Sequence, residues 1–418
     1  MSERLRSEVI TIGDELLLGR TINSNAAFLG QRLAECGVPV QWSSCVADDV
    51  AEIQAAISLA LNRADVIVLS GGLGPTPDDL TRDAIARLFD LPLVESAEQR
   101  VHVEEIFRKL GRAIPTASSN QVLVLGGALR LPNPLGTAAG IYLERKGKHL
   151  FALPGVPPEL ERLMDEQVEP IVQRQFGGAK YFARTLRMAG IGESLLMERL
   201  GDLDALARRV ELAYLPHQGL LDLRMTSRAT DAYEAEADIA FAEHYIRERA
   251  GEHVYATGRD TLAQVIGNVL VNRGQWLTVA ESCTGGSISA MLTDTPGASR
   301  WYNRGFVTYA NEAKQELLGV PAATLEQYGA VSEETVQAMA EGALRTARAD
   351  WAVSVSGIAG PDGGTDEKPV GTVWIGIASA HTTVSQKIQV GSRSRELVRT
   401  RAAHFALYLL FKQLTGKR

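Results

Sequence analysis

Four segments in the C-terminal third of the chain gather hydroxyl, amine, glycine and guanidinium groups at spacings suited to acyl-group chemistry. The first is Leu277-Thr278-Val279-Ala280-Glu281-Ser282-Cys283-Thr284-Gly285-Gly286, a β-branched run that gives way to hydroxyls and glycine. This pattern predicts a strand turning into a helix, a junction whose free amides and dipole favour an anion or a developing oxyanion. Ser282 falls on it, with the amides near Thr284, Gly285 and Gly286 placed to receive the charge. A neutral serine is a poor nucleophile without a base. In this region His381 falls in an expected hairpin turn and His404 on the last helix, whereas Tyr309 and Lys314 follow directly after an expected strand. Lys314 is the better candidate, because an amine in a partly dehydrated pocket beside other cations loses basicity and can replace a histidine.

The third segment, Ser354-Val355-Ser356-Gly357-Ile358-Ala359-Gly360-Pro361-Asp362-Gly363-Gly364, reads as a buried strand opening into a glycine-rich loop. Such a loop brings backbone close to a ligand, with Ser356, Gly357 and Gly360 as contacts. The fourth, Gly391 to Arg399, sets Arg393, Arg395 and Arg399 at the start of the final helix, as suits a phosphate.

A second set lies in the N-terminal third: Gly13-Asp14-Glu15-Leu16-Leu17-Leu18-Gly19, Gly71-Gly72-Leu73-Gly74-Pro75-Thr76-Pro77-Asp78-Asp79-Leu80-Thr81, Asn133-Pro134-Leu135-Gly136-Thr137-Ala138-Ala139-Gly140 and Leu153-Pro154-Gly155-Val156-Pro157. Gly71, Gly72 and Gly74 offer unobstructed amides, and Asn133, Gly136 and Thr137 would join them around a phosphorylated ligand. Carboxylates at Asp14, Asp48 and Asp79 are candidates for a divalent metal or for water activation, with Asp79 the catalytic candidate.

Each segment also has an ordinary structural explanation. Ser282 or Thr284 would serve as a helix N-cap, Lys314 as a solvated surface residue, and Arg395 or Arg399 as a partner of Glu396. Asp78 and Asp79 suit the first turn of any helix, and Asn133-Pro134 is a common turn. Recurrence at strand exits argues for ligands, since the carboxyl ends of parallel strands are where α/β proteins bind them.

The elements that must hold these groups follow from hydrophobic periodicity. Residues 8–167 predict a parallel sheet covered by helices: strands at Val9–Ile12, Gln41–Val46 and Val66–Leu69, helices at Asn25–Cys36, Val50–Asn62, Thr81–Leu88 and Ala97–Leu110. From 168 to 255 a small α+β spacer is expected, with strands at Tyr181–Ala189 and Leu221–Ser227 and a helix at Ala232–Ala250. Its Gly190-Ile191-Gly192-Glu193 is similar to the G-x-x-G loop of KH modules, but Glu193 in place of the second glycine would repel a phosphate, which favours a spacer role. From 256 to 418 a third α/β unit has a helix from Thr261 to Val271, strands at Trp276–Ala280, Val307–Tyr309, Trp351–Ser356, Gly371–Ala378 and Thr382–Val390, and a closing helix at Glu396–Leu414.

Composition sets the bounds. The 418 residues exceed one ordinary core, and 45% apolar with 22% charged residues is ordinary globular protein. A net charge of −7 gives no global attraction to nucleic acid. Cys36, Cys45 and Cys283 match neither a disulfide framework nor a zinc site, and neither a signal segment nor a membrane-length apolar run is evident, so a cytoplasmic protein is expected.

AESCTGG, VTYANEAK and SVSGIAGPDGG, followed by the arginine-bearing segment, resemble the C-terminal domain of the CinA (competence/damage-inducible) family across residues 260–415. The resemblance implies a nicotinamide-nucleotide amidase that converts nicotinamide mononucleotide (NMN) and water to nicotinic acid mononucleotide and ammonia without a cofactor. It makes Ser282 the catalytic serine and Tyr309 and Lys314 its assistants. Ser356 stands where many members have threonine, which keeps the hydroxyl. Arg395 matches the phosphate-binding arginine, although Arg393-Ser394 leaves Arg399 as an alternative. GDELLLGRTINSN, GGLGPTPDDLT, NPLGTAAG and LPGVPPE resemble the molybdopterin-binding fold found at the N-terminus of the same family, covering about 5–167. That implies metal-dependent hydrolysis of ADP-ribose to AMP and ribose 5-phosphate, or, as in relatives of the fold, molybdopterin binding. The resemblance also implies a homodimer acting on small nucleotides, with neither nucleic acid nor membrane as partner. The rival from another class is a non-catalytic nucleotide-sensing or partner-binding protein, separated from an amidase by assaying ammonia release.

Overall fold

In the computed structural model, residues 5–176, 182–229, 231–391 and 394–417 are described, and they form two compact units. Seventeen strands among them are numbered in chain order. β1 (Ser7–Ile12), β2 (Val40–Val46), β3 (Val66–Ser70), β4 (Leu93–Glu95), β5 (Leu123–Leu125), β6 (Leu129–Leu131), β7 (Gly140–Arg145) and β8 (Lys148–Leu153) belong to the first unit. A six-stranded sheet runs β2-β1-β3-β8-β7-β6, and β4 pairs with β5.

Every residue of β1 and β3 is buried, because helices cover both faces. Alternate side chains serve opposite cores. Val9, Val66, Val68 and Phe151 pack with Leu29, Leu33, Leu160 and Leu163, while Ile10, Ile67, Leu69 and Leu150 pack with Ile53, Ile57 and Ile85. The sheet is not wholly parallel as expected: β7 runs antiparallel to both β8 and β6. Gly140–Leu153 has no separating helical stretch, so the chain returns through the two-residue turn Lys146-Gly147. The first domain also continues past residue 167, since Val168 and Val172 are buried in its core and the helix Glu169–Phe176 belongs to it.

The second unit holds the expected spacer and the C-terminal domain together. β9 (Ala183–Ala189), β10 (Val210–His217), β11 (Leu220–Ser227) and β12 (Val254–Thr257) form an antiparallel sheet in the order β10-β11-β9-β12. The helix Ala232–Ala250 falls where its periodicity places it. β10 and β12 were not foreseen, and Tyr181, expected to start a strand, lies outside the described residues. Ala189, Leu220 and Tyr255 share a core with residues of the C-terminal domain, which explains why the two pack as one.

β13 (Leu277–Glu281), β14 (Tyr302–Val307), β15 (Trp351–Gly357), β16 (Thr372–Ser379) and β17 (Thr383–Gln389) form the last sheet, ordered β14-β13-β15-β16-β17. β13 is parallel to both neighbours, and the pair β16–β17 completes the sheet as an antiparallel hairpin. β14 ends where a strand was expected to begin: of the expected Val307–Tyr309, only Val307 is in the sheet, paired with Glu281, and the strand stops as the Thr308 amide donates to the Glu281 carbonyl. One face packs the helices Leu262–Arg273 and Arg395–Thr415, and the other carries Ala280, Ala352 and Ala378. Those small side chains let the helix Glu333–Ala347 lie close to the sheet, bringing Met339, Ala340 and Ala343 into the same cluster. Among the described residues, no helix is long and apolar enough to cross a membrane.

Candidate active site

β13 delivers Ser282 to the carboxyl end of the parallel strands, and the Ser282 amide still donates to the Val355 carbonyl at 2.9 Å. A turn then intervenes before the helix Ser287–Thr293; Gly286 has φ 94°, a conformation costly for other residues. The buried Glu281 carboxylate accepts the amides of Gly286 (2.9 Å), Ile288 (3.1 Å) and Ser289 (2.9 Å), and the Ser289 hydroxyl at 2.7 Å. The Gly285 amide donates to the Ser282 carbonyl.

These contacts correct the expected oxyanion cradle: the amides of Gly285 and Gly286 and the helix N-terminus already have acceptors. The amides of Cys283 and Thr284, directly after the serine, have no backbone acceptor among the described residues, and Cys283, which lines the cavity, is the better donor.

Lys314 sits on the helix Asn311–Leu318, three residues after the end of β14. Its side chain is 1% exposed, so the solvated-lysine explanation fails. The Nζ is 3.3 Å from Ser282 Oγ, 2.9 Å from the Thr308 carbonyl and 3.2 Å from the Tyr309 carbonyl. The two nearer of three carbonyls, with that of Ala310 farther at 3.5 Å, can thus take the two N–H groups of a neutral amine and leave its lone pair for the serine hydroxyl. Burial lowers the Lys314 pKa; Cys283 and Glu312 oppose that shift, and no neighbouring cation contributes as had been expected.

Cys283 also lines the cavity, but burial pushes its thiol up to about 12. It is therefore held as the neutral thiol at ordinary pH, leaving the Ser282 hydroxyl as the nucleophile with a base in contact. His404 Nδ1 donates to the Thr400 carbonyl on its own helix, and the exposed His381 lies in the β16–β17 turn.

Ser282, Lys314, Tyr309, Ser356, Gly357, Gly360 and Arg395 surround one cavity of about 260 Å³. The Ser356 hydroxyl donates to the Ala330 carbonyl at 2.6 Å, and Arg395 donates to the Gly360 carbonyl and the Tyr309 hydroxyl, both at 2.7 Å. Arg399 lies elsewhere: it donates to the Thr284 carbonyl at 2.9 Å and supports the serine turn. Thr284, Gly285 and Gly286 do not line the cavity, and Arg393 falls outside the described residues. Sequence reasoning passed over Thr308, whose buried hydroxyl, like that of Thr284, has no hydrogen-bond partner among the described residues.

In the first unit, Gly71, Gly72, Gly74, Asp48, Asp78, Asp79 and Thr137 border a cavity of about 420 Å³. Gly71, at φ 110°, lies so near the Ile12 carbonyl that a Cβ would stand 2.4 Å from its oxygen. Asp14 does not line this cavity; its amide donates to Asp48 at 2.9 Å. Burial first, then the Asp14, Glu15 and Asp78 carboxylates, raise Asp48 above its ordinary range, against the lowering effect of the Asp14 amide. Asp79 accepts the Thr76 amide at 2.8 Å and the Thr76 hydroxyl. Asn133 has a framework role, accepting the Leu135 and Gly136 amides and donating to Glu159 at 2.7 Å. No group of three or more His, Cys, Asp or Glu side chains is gathered to hold a metal among the described residues.

Comparison with known proteins follows the same division. The probable molybdopterin binding domain model matches residues 8–174, the damage-inducible protein CinA KH domain 183–256 and the CinA C-terminal domain 259–414. A competence-damage inducible relative by name, from Symbiobacterium thermophilum, is 42% identical over 98% of this chain and 99% of its own. A CinA-like protein from Synechococcus elongatus is 41% identical over 98% of each chain. A solved CinA superfamily protein from Klebsiella pneumoniae is 39% identical, covering 37% of this chain and 96% of that one, with a TM-score of 0.36.

The matches and the fold define a three-part protein in which a molybdopterin-binding-type domain precedes a KH-type module and a serine–lysine-bearing α/β domain. The chain belongs to the CinA family.

Proposed function

We propose that the C-terminal domain hydrolyses the carboxamide of NMN, giving nicotinic acid mononucleotide and ammonia. The observation that carries this reading is the contact between Ser282 Oγ and the buried Lys314 Nζ. Ser282 attacks the carboxamide carbon while neutral Lys314 takes the hydroxyl proton, and the amide of Cys283, which lines the cavity, is the donor for the developing oxyanion. Lys314 returns that proton to the nitrogen that leaves as ammonia. Water, activated by the same amine, then cleaves the serine ester and releases the acid.

Arg395 supplies the charge for the substrate phosphate, held by Gly360 and Tyr309. Arg395→Ala is expected to raise KM for NMN by roughly 10- to 100-fold with a much smaller change in kcat, since a phosphate remote from the reacting bond is held alike in ground and transition states. A fall in kcat at unchanged KM would assign Arg395 to the chemical step instead. The primary test is ammonia release from NMN by the purified full-length protein, with the other product identified.

For the N-terminal domain we propose metal-dependent hydrolysis of ADP-ribose to AMP and ribose 5-phosphate. Its support is the cavity in which glycine-rich backbone meets Asp48, Asp78 and Asp79. Burial, and after it the nearby Asp14, Glu15 and Asp78 carboxylates, disfavour the Asp48 anion, a cost that a bound cation would relieve. A magnesium-like ion needs only one or two carboxylates when substrate phosphates complete its shell, so Asp48 and Asp79 suffice as protein ligands. The bound ion would neutralise pyrophosphate charge, while the loop amides orient the substrate. The full-length protein is expected to release AMP from ADP-ribose only with a divalent metal present; no turnover with magnesium or manganese would dismiss this activity.

A further inference from the structure

The loop Gly190–Glu193 is pressed against the final helix: a Cβ on Gly190 would stand 2.0 Å from the Tyr408 ring, and the Tyr408 hydroxyl lies 3.0 Å from His253 Nδ1. Next to this contact, that loop, the β10–β11 turn, the end of β17 and the final helix enclose a second cavity of about 500 Å³. It shares no lining residue with the cavity at Ser282.

Its wall is mixed. Ile191 and Leu221 are buried apolar surface and Phe405 adds an aromatic face, while Glu193, His217 and Arg401 bring charge and hydrogen-bonding capacity. That is the composition of a small-molecule site: apolar area for affinity and a few polar groups for orientation. The Arg401 stem lies close against the turn: a Cβ on Gly219 would stand 2.9 Å from its Cγ. Its guanidinium nevertheless has no ion-pair or hydrogen-bond partner among the described residues. Arg401 is exposed, and its guanidinium, in contrast to the Glu193 carboxylate on the same wall, offers its donors to an anion.

We propose that this cavity binds a small amphipathic organic anion, its head group on Arg401 and its apolar body against Phe405 and Leu221, and that occupancy regulates the centre at Ser282. The regulatory half rests on the amidase reading. One rigid element joins the two places: the helix Arg395–Thr415 carries Arg395 into the Ser282 cavity and, about 9 Å further along its axis, Arg401 into the second. A ligand that shifts this helix changes the placement of Arg395, and the coupling is reciprocal.

The probe is 1-anilinonaphthalene-8-sulfonate, titrated by fluorescence into the full-length protein. Gly192 borders the cavity with φ −94° and no atom within 4 Å of its Cβ position, so Gly192→Trp fills space without straining the backbone. Saturable dye binding is expected in the wild type, weakened more than 10-fold in Gly192→Trp and about 10-fold in Arg401→Gln, with the thermal melts of both variants unchanged. Equal binding by wild type and Gly192→Trp, or the absence of a saturable site, overturns the proposal; if Gly192→Trp fails to fold, equal binding by Arg401→Gln does so. Saturating dye is also expected to change KM for NMN several-fold in the wild type and not in Gly192→Trp, and an unmoved KM overturns the coupling. The dye titration needs no turnover, so failure of the amidase reading removes the coupling and leaves the binding result standing.

Discussion

Ser282→Ala is expected to lower kcat for NMN deamidation by roughly 10⁴- to 10⁶-fold, with thermal stability altered by no more than about 1 kcal/mol. The size of the loss follows from covalent catalysis: without the oxygen, no bond forms to the carboxamide carbon, and the amides that remain can only polarise the substrate toward water. The stability forecast follows from the contacts. Ser282 keeps its backbone bond to Val355, and Lys314 keeps the Thr308 and Tyr309 carbonyls, so removal of one hydroxyl strands no donor. Ammonia release measured against the wild type decides the matter, and an undiminished rate in a folded variant would end the assignment.

Lys314→Met, which keeps the length of the side chain and deletes the amine, is expected to reduce kcat by about 10²- to 10⁴-fold. Its pH signature separates a base from a structural prop. The reacting form of Lys314 is neutral, and burial lowers its pKa from the ordinary lysine value. The wild-type rate should therefore rise with pH through that lowered pKa and level off above it; in the methionine variant this limb should vanish. The apolar replacement removes a buried amine but leaves the Thr308 and Tyr309 carbonyls without their donor, so the two effects oppose and the variant should melt close to the wild-type temperature. Persistence of the pH limb in Lys314→Met would move the base elsewhere.

Much of this architecture was legible in the sequence because it rests on local periodicity. Ala232–Ala250 and Val50–Arg63 repeat apolar residues at helical spacing, and Val66–Ser70 is an unbroken apolar strand flanked by turns. Harder to read were elements whose identity depends on distant partners. β10 alternates weakly and becomes a strand by pairing along its length with β11, while β12 is short and finds its place against β9. The antiparallel β6–β7–β8 edge was lost for the same reason: strand direction is a property of topology.

The site divides in the same way. Ser282 and Lys314 stood out because hydroxyl, amine and glycine groups recur at strand exits in segments that resemble the family's, and Arg395 was named there with Arg399 as its alternative. The function of Glu281 was not, because a glutamate inside a strand pattern looks misplaced until the next helix is seen folding back onto its carboxylate. Nor does spacing reveal that Arg399 turns to the Thr284 carbonyl while Arg395, one helical turn earlier, reaches the cavity.

The unequal burial of the three thiols has a practical consequence. Cys283 is held protonated, Cys36 is pushed up to about 11 by burial, and Cys45 stands exposed on β2. A maleimide applied near neutral pH should thus mark Cys45 first, which gives the native chain one preferred attachment point for a spectroscopic reporter in the N-terminal unit, with the serine centre left untouched.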